Sequence, residues 1–140
     1  MTDRDQIVNL LGRYCRGVAN FDQDEWGSTW AEDARWIFPD GSSVVGLPAI
    51  VETFAAARTR FPLCVQQVTS SVIDVDGNAG TGTGWVQVCE IQWRSDGKTA
   101  ELIGDYHDEY IRTAEGWQFA VRRFQLRVNG PADRAARLFG

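Results

Sequence analysis

The stretch CVQQVTSSVIDVDGNAGTGTGWVQVCEIQW, residues 64–93, decides the fold class. Two runs rich in Val, Ile, Thr and Trp flank Asp76-Gly77-Asn78, residue types that accept the backbone angles of a tight turn. Extended runs broken by such a turn read as an antiparallel hairpin. Two more follow, AELIGDYHDEYIRT (100–113) and GWQFAVRRFQLRV (116–128), with turn signals at Ser95-Asp96-Gly97 and Ala114-Glu115-Gly116. The four runs predict a long antiparallel meander.

Ahead of the meander the period changes. Thr2 and Asp5 have the spacing of a capping box, and Ile7, Leu10, Leu11, Tyr14 and Val18 form one stripe of an amphipathic helix over residues 3–19. A second helix is expected from Asp22 to about Ala31, with Asp24 and Glu25 in its first turn and Trp26 and Trp30 four residues apart on one face. In RWIFPDGSSVVG (35–46), Pro-Asp-Gly separates two short extended pieces. Leu47-Pro48 then opens a third helix with an inner stripe of Ile50, Val51, Phe54 and Arg58. Helices followed by strands imply an α+β fold, with the helices on one face of a curved sheet. Such a sheet makes a cone whose interior is a natural pocket. A length of 140 residues fits one domain, 1–140.

Composition narrows the function classes. A net charge of −5 argues against a nucleic-acid partner, which would need clustered Lys and Arg. No apolar run approaches the roughly 18 residues of a membrane span, and the charged N-terminal stretch lacks a signal-peptide core, so a cytoplasmic protein without a membrane partner is expected. Cys15, Cys64 and Cys89 are odd in number and have no C-x-x-C spacing, so they read as reduced, small apolar residues. One histidine cannot supply a three-ligand metal site, and Asp22, Asp33 and Asp108 lack ligand spacing, so no metal is expected. Six Trp, three Tyr and seven Phe suit a dense core or a ligand cavity.

The segments IVNLLGRYCRGV (7–18), AEDARW (31–36), GLPAI (46–50), DGNA (76–79) and GDYHDEYIRTAEGWQFAVRRF (104–124) resemble the SnoaL-like branch of the nuclear transport factor 2 superfamily. That resemblance spans nearly the whole chain and implies a cone-shaped, cystatin-like fold. The same superfamily includes ketosteroid isomerase-like proteins. The nearest patterns are those of scytalone dehydratase, bile-acid dehydratase and hexachlorocyclohexane dehydrochlorinase. In what the resemblance implies, an Asp closes the first helix five residues after the position of Tyr14, and a His on the first long strand pairs with it to remove a proton from substrate carbon. By position these fall on Ala19 and Gln66, so both members of the dyad are replaced. The resemblance also matches Tyr14 to a donor and Arg122 to an arginine deep in related pockets.

Tyr14, Arg122 and Gln66 are therefore the candidate catalytic residues: a phenol and a guanidinium to polarise a carbonyl or hold an enolate, and an amide to orient the substrate. Alternatively, Tyr14 ends a core stripe and Arg122 pairs with Asp108 or Glu90. Strand alternation adds Trp85, Gln87 and Cys89 on one strand, Leu102, Gly104 and Tyr106 on the next, and Cys64 beside Gln66. The expected substrate-binding set is Ala19, Asp22, Trp36, Cys64, Trp85, Gln87, Gly104 and Tyr106, with Gly104 leaving room for a ligand. Asp22 reads as a helix cap, or as the nearby carboxylate that replaces what Ala19 lacks. His107, of opposite parity to Tyr106, is expected on the outer surface, and Asp33 in a turn.

Three functions follow as expectations. One is a cofactor-independent lyase, isomerase or dehydratase acting on a hydrophobic cyclic or aromatic small molecule. The second is a non-catalytic small-ligand-binding protein, and the third a small subunit of a ring-hydroxylating oxygenase. The outer face of the sheet (QVCEIQW, HDEYI, QFAVRRF) suits a homo-oligomer, expected to be a dimer. The tail PADRAARLFG (131–140) is a candidate lid or partner-binding helix.

Overall fold

A computed structural model describes residues 1–132, so all but the first two residues of the C-terminal tail lie outside the described residues. The elements run α1 (Asp3–Asn20), α2 (Gln23–Ser28), β1 (Trp30–Ile37), β2 (Ser43–Val45), α3 (Leu47–Ala57), β3 (Leu63–Asp76), β4 (Thr81–Trp93), β5 (Thr99–Thr113) and β6 (Gly116–Pro131). They form an α+β architecture: one curved, unclosed six-stranded sheet in the order β2-β1-β6-β5-β4-β3, with helices on its concave face.

The meander is present with the expected turns. At the start of α1 the Asp5 backbone N–H donates to Thr2 Oγ1 at 3.1 Å while the Thr2 N–H donates to Asp5 Oδ2 at 3.2 Å, the reciprocal capping box. The stripe Ile7, Leu10, Leu11, Tyr14 and Val18 is buried against the sheet. The helix stops at Phe21, a non-glycine residue with φ +49°, whose N–H satisfies the last α1 carbonyls. The bend turns the Phe21 ring onto Phe54 of α3, with centroids 4.9 Å apart, and starts α2 at once.

Two boundaries differ from the sequence reading. The second helix ends at Ser28, because Trp30 already belongs to β1 and pairs with Phe119 of β6. The Trp26–Trp30 ring contact survives at 5.6 Å, but across a helix–strand junction. The two pieces around Pro39-Asp40-Gly41 form the β1–β2 hairpin and extend the main sheet, with β1 parallel to β6. A sequence-local period cannot show that long-range parallel pairing. Asp33 sits exposed within β1, where the register with β6 shifts, and not in a turn. Arg58 caps the end of α3 and lies over the Phe21 ring instead of completing an inner stripe.

Helices α1 and α2 pack in close approach. That approach requires a glycine: a Cβ on Gly17 would lie 2.8 Å from the Trp26 Cβ. Trp26 is thereby pressed inward, stacked on Phe54 at 4.1 Å with planes 9° apart.

Candidate functional site

Between the helices and the concave sheet lies a cavity of about 340 Å³. Aromatic residues dominate its walls, with Phe21 from the α1–α2 bend, Trp26 and Phe54 from the helices, and Trp36, Tyr106 and Phe124 from the strands. Polar atoms are few and gather on adjacent strands. Gln66 opposes Glu90, and Cys64 opposes Gln92, across the β3–β4 ladder. Cross-strand partners share a face, so all four point into the cone.

Their hydrogen bonds form one network. Gln66 Nε2 donates to Glu90 Oε1 at 3.1 Å and to the Tyr106 hydroxyl at 3.5 Å, and Gln92 Nε2 donates to Glu90 Oε2 at 2.7 Å. The Tyr106 and Tyr14 hydroxyls are 3.4 Å apart. Gln66 Oε1 is buried with no hydrogen-bond partner, as is the indole nitrogen of Trp26. Burial raises both phenols above their ordinary value of 10, Tyr14 well above it, against the opposing pull of Arg122. Both are therefore neutral near pH ~7 and act as hydrogen-bond donors. Burial, reinforced by the Glu90 carboxylate, likewise raises the Cys64 thiol and keeps it protonated.

Arg122 stands behind this network and does not line the cavity. Its Nε donates to Asp108 Oδ1 at 2.8 Å and its Nη2 to Asp108 Oδ2 at 3.1 Å, so the guanidinium is bound by a two-pronged ion pair. The remaining Asp108 demand is met by the Tyr110 hydroxyl at 2.9 Å. The Arg122 guanidinium carbon lies 3.6 Å from the Tyr106 ring centroid, 4.1 Å from that of Phe119 and 4.5 Å from that of Tyr14. Burial opposes the Arg122 charge, but the Asp108 carboxylate outweighs it and holds the group protonated. Its reach to a ligand is through the phenols that it supports.

Of the expected site residues, Tyr14, Gln66, Trp36, Cys64 and Tyr106 line the cavity. Ala19 does not. Five residues beyond Tyr14 is about 140° round a helix, and on that turn Val18 is the residue that lines the cavity. Asp22 is exposed and accepts the Glu25 N–H at 3.0 Å as the cap of α2; the inward turn after Asn20 delivers the Phe21 ring in its place. Trp85, Gln87 and Cys89 lie on the outer face, with Val86, Val88, Glu90 and Gln92 inward. Gly104 is buried, but a side chain there would strike Phe124, so its missing Cβ makes room for that ring and not for a ligand. His107 lies on the outer face, its Nε2 3.2 Å from Gln125 Oε1.

The lining residues that sequence reasoning missed include Glu90 and Gln92, and the aromatic walls Phe21, Phe38, Phe61 and Phe124. Glu90 is the only carboxylate among the cavity-lining residues. Among the described residues no group of three His, Cys, Asp or Glu side chains is placed to hold a metal ion, and no helix is long and apolar enough to cross a membrane.

The family model of the SnoaL-like domain matches residues 1–123. The chain belongs to the SnoaL-like domain family. Solved structures of the nuclear transport factor 2 superfamily share its fold. A provisionally assigned scytalone dehydratase from Novosphingobium aromaticivorans superposes with a TM-score of 0.85 at 17% identity, covering 96% of this chain and 89% of that one. Hexachlorocyclohexane dehydrochlorinase LinA-type3 from Novosphingobium barchaimii gives 0.84 at 16%, covering 98% and 94%. A superfamily protein from Salmonella enterica gives 0.81 at 15%, covering 98% and 97%. No curated protein sequence matches the chain. In the SnoaL-like cone of this chain, Gln66 lines the cavity and its neighbour there is Glu90.

Proposed function

We propose that this SnoaL-like protein is a cofactor-independent lyase or isomerase that acts on a hydrophobic cyclic or aromatic small molecule within the cone. The observation that carries this reading is the convergence of the Tyr14 and Tyr106 hydroxyls, the Gln66 amide and the Glu90 carboxylate inside an aromatic chamber of about 340 Å³. The volume suits a small ring system, and apolar walls with a few convergent polar groups are the usual make-up of small-molecule sites. Each phenol donates one hydrogen and accepts others, so the Gln66–Tyr106–Tyr14 chain leaves one phenolic hydrogen free for a substrate oxygen. Donors fixed in advance in a dry site stabilise negative charge as it forms on such an oxygen. The likeness to dehydratase and dehydrochlorinase folds supports the same class.

The test is structural and chemical together. A small molecule retained through purification, identified by mass spectrometry and located by crystallography, should place an oxygen on the Tyr106 or Tyr14 hydroxyl. With a substrate in hand, Tyr14→Phe should lower turnover about tenfold or more, since loss of one such donor is worth on the order of 3 kcal/mol at well-studied sites. Unchanged turnover would remove Tyr14 from the mechanism. A second reading, ligand capture without conversion, is favoured by Gln66 itself, since an amide stands where the resemblance implies an imidazole. It predicts thermal stabilisation by ligands that are recovered unaltered.

A further inference from the structure

We infer that Glu90 is the proton-accepting residue of this cavity, and that the substrates it serves carry a C–H bond next to a carbonyl. The inference rests on the catalytic reading above and assigns the base that this reading lacks.

The cavity wall offers few groups able to take a proton. Tyr14, Tyr106 and Cys64 are all held in their neutral forms by burial, and the amides of Gln66 and Gln92 are not bases. Arg60, the one cation among the lining residues, lies over the Phe61 ring at 5.5 Å and is exposed. Glu90 remains. Its side chain is held by neutral donors, the amides of Gln66 on Oε1 and Gln92 on Oε2 with the protonated Cys64 thiol beside them, and takes part in no salt bridge among the described residues. A carboxylate has about four lone-pair sites, so two amide bonds fix its plane and leave capacity for a substrate hydrogen. A partner cation, which would quench a base, is replaced here by dipoles.

The relation of base to oxyanion donor is equally defined. One nitrogen, Gln66 Nε2, touches both Glu90 Oε1 and the Tyr106 hydroxyl. The proton acceptor and the phenol therefore flank one amide nitrogen on the cavity wall, each within 3.5 Å of it, so a carbonyl oxygen on the phenol brings its adjacent carbon to the side of the carboxylate. Glu90 Oε takes that hydrogen as a proton. The C–H electron pair becomes a C=C bond, and the carbonyl π pair moves onto oxygen, where a phenolic hydrogen stabilises it. Return of the proton from Glu90 to the same or a conjugated carbon completes an exchange or an isomerisation, with every atom and electron accounted for. In this arrangement Gln66 ties the base to the donor and is a positioning residue.

The step can be read without knowing the natural substrate, using 2-tetralone and 2-indanone as probe ketones. Binding is followed by quenching of tryptophan fluorescence, and deuterium uptake at the carbons beside the carbonyl by NMR in D₂O. The wild-type protein should bind at least one ketone and speed its exchange, while Glu90→Gln, nearly isosteric, should bind it with similar affinity and lose about 100-fold or more of the exchange rate. Glu90→Asp, which keeps a carboxylate, should retain a measurable part of the rate. Exchange that survives in Glu90→Gln overturns the assignment of Glu90. Ketone bound by the wild-type protein without accelerated exchange also overturns it, and leaves the ligand-capture reading in place. A folded wild-type protein that binds neither ketone sinks this inference and the ligand cavity with it.

Discussion

At the scale of single residues, the deepest charge in the molecule is spent on support. Arg122 and Asp108 are almost wholly buried, joined by two hydrogen bonds and overlaid by Tyr14, Tyr106 and Phe119. Removing one member leaves the other charged and unpaired in a medium that solvates it poorly, which costs roughly 3–5 kcal/mol for buried pairs. Arg122→Leu should therefore lower the urea midpoint steeply, and the double variant Arg122→Leu/Asp108→Leu should recover much of that loss. If the double variant were no more stable than the single one, the pair would owe its worth to something beyond mutual neutralisation. By contrast Tyr106→Phe removes one hydroxyl and keeps the ring against the guanidinium, so turnover should fall while the midpoint moves little.

The element scale shows what was legible in the sequence and why the rest was not. Helix α1 was, because its capping box, apolar stripe and end agree, and only Asn20 was added to the expected span. The meander was as well, because glycine marks each turn, with aspartate beside it in the first two and glutamate in the third. The inward face of β4 was not, since both faces carry apolar residues: Trp85 and Cys89 on one, Val86 and Val88 on the other. Alternation fixes that two faces exist and not which one is inner. The deciding signal was the tight turn at Ser95-Asp96-Gly97, which pairs Trp93 with Thr99 and hence even-numbered residues with even-numbered ones. Inward Leu102 and Tyr106 then require inward Glu90 and Val86, and the acid of the cavity follows. Ala19 is a different case: its place was taken from the resemblance and not from helical phase, and Val18, one residue earlier, is the α1 side chain on that turn that lines the cavity.

On the outer face of the same strands, Asp105 is buried at 1% exposure and accepts Arg127 Nε at 2.7 Å. That bond, first among its causes, holds the Asp105 carboxyl below its ordinary value of 3.8. A carboxylate whose folded value is depressed adds stability above its unfolded value and loses it as the pH falls through the folded one. Stability should thus decline below about pH 4, and Asp105→Asn should flatten that acid limb while lowering stability near neutrality. An unaltered acid limb in the variant would assign the decline to other carboxylates. At the helix pair, Gly17→Ala should destabilise by about 1–3 kcal/mol, the usual cost of forcing atoms into a packed contact, because Trp26 backs onto Phe54 and has little room to retreat. Thermal denaturation would read it.

At the scale of the whole molecule, the open interior is itself a cost. Close-packed cores leave few voids, and unfilled volume destabilises in proportion to its size. A chain with this many aromatic residues could have closed the cone, yet Trp26, Trp36 and Phe54 stand as walls around about 340 Å³. If that volume is kept for a ligand, filling it should trade binding for stability. Ala57, on the last turn of α3 and lining the cavity, offers the cleanest place to make the exchange, since a larger side chain there can project inward from a helix that needs no rearrangement. Ala57→Phe should leave the melting temperature unchanged or raise it, while 2-tetralone quenching of tryptophan fluorescence weakens about tenfold or more. Both readings are needed. Weaker binding with a lower melting temperature would mean only that the helix was displaced, and full binding in a stable variant would place the ligand elsewhere than in the cone.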